Sequence, residues 1–145
     1  MLIRVIDHLF FFALITTIGL ATITAIDGLM FSAESGVRLL FHMYASGALV
    51  FVLPLFALYW LFRCLNPAAS GGMQRLGFWL LVISGTLTIA TVFVCMLPVP
   101  STEQMEQLIK LHGYAGFAMV PALLLVVIGE YLYRRIHATR SATPG

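Results

Sequence analysis

The sequence predicts an all-α integral membrane protein, a four-helix bundle, and three observations support this fold class. Of the 145 residues, 61% are hydrophobic and only 10% are charged, whereas soluble domains carry charge at about a quarter of their positions. The hydrophobic residues form four long runs, separated by short polar segments. A membrane-spanning helix needs roughly 20 apolar residues, so the length allows four spans and leaves no room for a separate soluble domain.

Each predicted helix is bounded by residues that favour its start or its end. Pro98 and Pro100 cannot continue the third helix, and Glu103 and Glu106 favour the positive end of the fourth. The first apolar run is longer than the roughly 7–15 residues of a signal-peptide core, so we expect a retained span. One transmembrane domain is expected over 1–136, with a polar tail at 137–145. The predicted helices are 7–30, 36–65, 75–96 and 103–136.

The basic residues are unevenly distributed, and this predicts the orientation of the chain. With the N-terminus in the cytoplasm, the opposite side of the membrane receives only Arg38 and Lys110. Both termini are therefore expected to be cytoplasmic. No basic run suggests nucleic-acid binding, and Cys64 and Cys95 fall on opposite sides, too far apart for a disulfide. The basic residues on the cytoplasmic side are Arg4, Arg63, Arg75, Arg134, Arg135 and Arg140.

Two histidines lie at similar depths in two of the predicted spans. His42 and His112 each stand about one to two turns into their membrane span, a turn being about 5.4 Å. Both occur in a His-x-Tyr-Ala pattern, which is a weak internal repeat. The second and fourth helices run in the same direction, so the two imidazoles lie at one level. A haem iron with two axial histidines needs this arrangement, and cofactor sites in helix bundles are built from side chains on facing helices.

The residues near both histidines fit a flat macrocycle that carries carboxylates. A small residue follows each histidine by about one turn, which leaves space for the ring. A basic residue lies near each histidine, where it can pair with a haem propionate. A lone histidine can instead bond to a neighbouring helix, and small residues also serve helix packing, but the matched pair favours haem. The predicted ligands are His42 and His112, and the other predicted cofactor-binding residues are Arg38, Ser46, Gly47, Lys110 and Gly116.

Three segments resemble the bacterial cytochrome b561-like family of four-helix membrane cytochromes. They are RVIDHLFFFALI at 4–15, VRLLFHMYASGALVFVLPLFALYWLFRCLNP at 37–67 and LIKLHGYAGFAMVPALLLVVIGEYL at 108–132. The resemblance covers nearly the whole chain at low identity. It implies a bacterial inner-membrane protein in which His42 and His112 hold one haem b near the periplasmic side.

The family holds a second haem near the cytoplasm, between a histidine in the first helix and another in the fourth. His8 matches the first of these positions, but residues 118–130 contain no histidine. His137 follows His112 by about 37 Å of helix, which exceeds the roughly 30 Å hydrocarbon core. We therefore expect one haem, and no second haem that uses His8.

These inferences predict an electron-transfer subunit rather than a self-contained catalyst. We expect it to pass electrons between the quinone pool and a periplasmic redox partner, within a larger respiratory complex. The alternatives are a haem-free membrane anchor subunit and a small transporter. A transporter needs a polar path across the membrane, and the first and third helices offer only hydroxyls for it. These are Thr16, Thr17, Thr22, Thr24, Ser84, Thr86, Thr88 and Thr91.

Two further predictions concern the cytoplasmic ends of the helices. Trp60 and Trp79, with Tyr59, Tyr131 and Tyr133, suggest an aromatic belt at the membrane interface. Glu130 is expected to pair with Arg134, one turn later on the same helix. The alternative role for Glu130 is the handling of quinone protons.

Overall fold

The computed structural model describes the backbone of residues 2–30, 36–66 and 69–141, and the side chains of 5–26, 36–66 and 69–136. Within these ranges the chain is all-helical. All four helices are long and apolar enough to cross a membrane, so the protein is a multi-pass membrane protein. The helices are α1 (Leu2–Met30), α2 (Gly36–Leu65), α3 (Gly72–Cys95) and α4 (Thr102–Ser141).

Some observed helix ends differ from the predicted ones because the helices continue into the polar residues that flank the apolar runs. α1 and α3 begin earlier than predicted, and α4 continues to Ser141, into the predicted polar tail. The start of α4 is fixed by a reciprocal cap. The backbone N–H of Gln104 donates to Ser101 Oγ at 3.3 Å, and the backbone N–H of Ser101 donates to Gln104 Oε1 at 2.8 Å. This exchange satisfies backbone donors that have no partner within the helix.

The four helices pack antiparallel, as an up-and-down bundle. α1 contacts α2 and α4, and α3 also contacts α2 and α4, so α2 and α4 stand diagonally across the bundle. α3 and α4 approach most closely at two glycines. A Cβ on Gly129 would lie 2.6 Å from the Gln74 amide nitrogen, and one on Gly77 would lie 2.7 Å from the Val126 nitrogen. Small residues permit such close packing of helices in membranes.

The two halves of the bundle are packed differently. In the half that contains the start of α1 and the end of α4, large side chains fill the core, and Phe56, Trp60 and Phe78 are at most 1% exposed. The prediction that Trp60 belongs to an interfacial belt is therefore wrong. Its ring stacks on Phe56 with centroids 5.3 Å apart, whereas Trp79 is 40% exposed. The other half of the bundle contains a cavity.

Candidate cofactor site

A cavity of about 460 Å³ lies between α1, α2 and α4, with Thr88 contributed by α3. Its volume is within the range of small-molecule sites, about 300–1,000 Å³. The wall is mainly apolar, and a few polar groups converge on it, which is the usual composition of a cofactor site. Polar and small residues of the wall include Arg38, His42, Ser46, His112, Gly113 and Gly116.

His42 is held against the last turns of α1. Its Nδ1 lies 3.1 Å from the carbonyl oxygen of Ala21 and 3.1 Å from Thr24 Oγ1. The imidazole is half-buried. Since α1 is the helix that precedes α2 in the chain, the first helical hairpin orients its own histidine.

His112 is held in the same way by α3. Its Nδ1 lies 3.1 Å from the carbonyl oxygen of Thr88 and 3.2 Å from Thr91 Oγ1. In both hairpins the accepting carbonyl belongs to the residue three positions before the threonine. The internal repeat seen in the sequence around the histidines therefore extends to the helices that hold them.

These hydrogen bonds determine which nitrogen of each ring can bind a metal. A backbone carbonyl can only accept, so Nδ1 of His42 and Nδ1 of His112 carry the proton in each contact. Neutral imidazole with a proton on Nδ1 has its lone pair on Nε2. An Nδ1–H donated to a carbonyl is the usual support of a histidine that ligates metal through its other nitrogen.

The spacing of the two rings fits one metal ion between them. The centroids of His42 and His112 are 6.3 Å apart and the ring planes differ by 76°. A metal–imidazole bond is about 2.0 Å long, and a ring nitrogen lies about 1.1 Å from its centroid when ring bonds are about 1.35 Å. Two rings that share an ion along one axis would therefore have centroids about 6 Å apart.

Among the described residues, two candidate ligands lie at this position, His42 and His112. Within residues 5–26, 36–66 and 69–136, no three side chains of His, Cys, Asp or Glu form a metal-binding group. A tetrahedral zinc centre takes three or four such ligands. The pair His42 and His112 therefore fits an ion whose other ligands belong to the cofactor itself, as in a porphyrin.

The structure brings some of the predicted cofactor-binding residues to the cavity and not others. Arg38, Ser46 and Gly116 line it, and a Cβ on Gly116 would have no atom within 4 Å. Gly47 is exposed and lies outside the cavity wall. Lys110 is also exposed, and its Nζ pairs with Glu106 at 2.6 Å.

The residues considered for a second haem lie in the half of the bundle whose core is packed with large side chains. Val126 is fully buried against the aromatic core, and His8 is exposed. The side chain of His137 lies outside the described residues.

A polar cluster joins all four helices at this end of the bundle. Arg63 Nη2 donates to both carboxylate oxygens of Glu130 at 2.8 Å, and Gln74 Nε2 donates to Glu130 at 2.8 Å. Arg134 Nη2 donates to Asp7 at 2.8 Å and also pairs with Glu130, which confirms the predicted pair. Sequence reasoning missed the other partners of Glu130 because they come from different helices. Two arginines and two carboxylates leave the cluster without net charge.

The fold and the cavity define a four-helix, multi-pass membrane protein with a bis-histidine cavity near one end. No protein-family model matches the chain, and no curated protein or solved structure matches it. The argument for a function therefore depends on the geometry around the two histidines.

Sequence reasoning did not assign a role to Thr24 and Thr91 in this geometry. Both were considered only as hydroxyls of a possible transport path. Their signal in the sequence is a threonine near the end of the helix that precedes each histidine helix, which is too common a feature to be distinctive.

Proposed function

We propose that the protein is a membrane-bound b-type cytochrome that holds one haem b between His42 and His112. The observation that carries the proposal is the pair of imidazoles across the cavity, with centroids 6.3 Å apart. Each ring has its Nδ1 committed to a neighbouring helix, so each Nε2 lone pair is available to the iron.

The cavity wall supplies the other requirements of a haem. Gly116 and Ser46 keep the space beside the histidines clear, and Arg38 brings a guanidinium suited to a propionate carboxylate. The haem, when bound, supplies one-electron redox chemistry. With His42 and His112 both holding the iron, the haem would have no free position for oxygen or substrate, and this favours electron transfer.

The histidine cavity belongs to one end of the bundle, and the distribution of basic residues predicts that this end faces the periplasm. The proposed role is therefore electron transfer between the quinone pool and a periplasmic redox partner. We propose that the chain, whose described helices are all candidate membrane spans, acts as a subunit of a larger respiratory complex. The bacterial inner membrane is the proposed location, in agreement with the family resemblance.

The test is the optical spectrum of the purified protein. We expect a reduced-minus-oxidised difference spectrum of a b-type haem, and one haem per chain by the pyridine haemochrome assay. His42→Ala and His112→Ala should lose the haem, because each removes an axial ligand, whereas His8→Ala should retain it.

Two outcomes would contradict the proposal. A wild-type protein that purifies without haem, even after expression with added haem precursor, would favour the haem-free anchor subunit. Haem loss in His8→Ala, with retention in His42→Ala, would place the ligands elsewhere.

A further inference from the structure

We infer that Thr24 and Thr91 are positioning residues that tune the electron donation of the two histidines, and thereby the midpoint potential of the iron. This inference rests on the proposed haem site. It concerns hydroxyls that do not touch the cofactor and act through the imidazoles.

The direction of each threonine hydrogen bond follows from how its hydroxyl proton is used. Thr24 Oγ1 has two possible acceptors within α1, the carbonyl oxygens of Leu20 at 2.8 Å and Ala21 at 3.0 Å, and it donates its proton within that helix. Thr91 Oγ1 donates within α3, to the carbonyl oxygen of Thr88 at 2.8 Å. A hydroxyl has a single proton, so toward the histidines both hydroxyls can only accept.

Each Nδ1–H therefore faces two acceptors, a carbonyl oxygen and a hydroxyl oxygen that is itself polarised by its donated bond. Acceptors on Nδ1–H increase the basicity of the nitrogen that binds the metal. Stronger donation from His42 and His112 stabilises oxidised iron relative to reduced iron. The two threonines should accordingly hold the midpoint potential below the value that the carbonyls alone would give.

The duplicated arrangement argues against accidental contacts. Thr24 stands three residues after Ala21, and Thr91 stands three residues after Thr88, and each pair meets the histidine of the following helix. Among the described side chains, the other hydroxyls of these two helices donate only within their own helix. Thr17 donates to the carbonyl oxygen of Ala13, and Ser84 donates to that of Leu80. Thr24 and Thr91 thus occupy equivalent positions in the two helical hairpins.

The experiment measures midpoint potentials of haem-loaded variants by redox titration. Thr24→Val and Thr91→Val remove the hydroxyl and nearly keep the side-chain shape, and each should shift the equilibrium about threefold to tenfold toward reduced iron. A tenfold change corresponds to about 59 mV for one electron. The double variant should shift further, and Thr24→Ser and Thr91→Ser should restore the wild-type potential.

Matched controls are available on the same two helices. Thr16 and Thr86 are exposed, so Thr16→Val and Thr86→Val should leave the potential unchanged. If the wild type holds haem and the Thr24 and Thr91 variants titrate like these controls, the inference is overturned and the proposed function stands. A haem-free wild type overturns both.

Discussion

Gly116 and Gly47 follow the two histidines at similar distances but have different surroundings. Neither would bring a Cβ within 4 Å of the atoms of neighbouring residues, so a Cβ fits at both positions without a direct clash. Gly116 lines the cavity, whereas Gly47 is exposed on the outer surface of the bundle. At the scale of single residues, the two glycines therefore allow a comparison. A side chain at Gly116 would change the volume of the cavity, whereas one at Gly47 would change only the outer surface of the bundle.

Gly116→Leu should abolish or strongly reduce haem loading, because the isobutyl group would occupy space beside His112 that the macrocycle needs. Gly47→Leu adds the same group outside the cavity and should keep the haem. Loading is measured by the ratio of Soret absorbance to protein concentration. Equal loading of the two variants would show that the cavity beside Gly116 is not where the haem lies.

At the scale of helices, the sequence predicted the spans and the matched histidines because both signals lie within one segment. Apolar runs and a repeated His-x-Tyr-Ala pattern can be recognised without knowing which helices pack against each other. The partners of those segments could not be predicted. That Thr91 meets His112, that Trp60 is buried, and that Glu130 contacts Arg63 all depend on which faces of the helices meet.

The polar cluster is the clearest case of such a contact between helices. Asp7 and Glu130 are 4% and 5% exposed, and they receive bonds from Arg63 and Arg134 on α2 and α4. Breaking a buried ion pair by removing one charge leaves its partners uncompensated. Loss of either carboxylate should therefore destabilise the end of the bundle opposite the histidines.

Glu130→Gln should destabilise the protein by about 1–3 kcal/mol. Arg63 and Arg134 would then share the single carboxylate of Asp7, but their side chains are 28% and 40% exposed, so solvent offsets part of the loss. Glu106→Gln is the matched control on the same helix. Its pair with Lys110 is exposed, so it should change stability by about 0.5 kcal/mol or less. The free energy of unfolding of both variants is measured in the same detergent. Equal values for the two variants would show that the cluster does not contribute to the stability of the bundle.

At the scale of the whole molecule, the bundle has one end packed with aromatic side chains and one end with a bis-histidine cavity. A single haem at the cavity would confine redox chemistry to one face of the membrane. The orientation therefore decides which partners are possible. The predicted orientation places the histidine end outside, because Arg63, Arg75 and Arg134 lie at the other end.

Cysteine labelling in intact cells tests this orientation. Val99 is 80% exposed and follows α3 at the histidine end, and Gly72 is exposed at the start of α3, at the opposite end. In a background without Cys64 and Cys95, and with the chain in the proposed bacterial inner membrane, Val99→Cys should react with a thiol reagent that enters the periplasm but does not cross that membrane. Gly72→Cys should react only after lysis. The reverse pattern would turn the cavity toward the cytoplasm, and a periplasmic redox partner could then no longer reach the histidines.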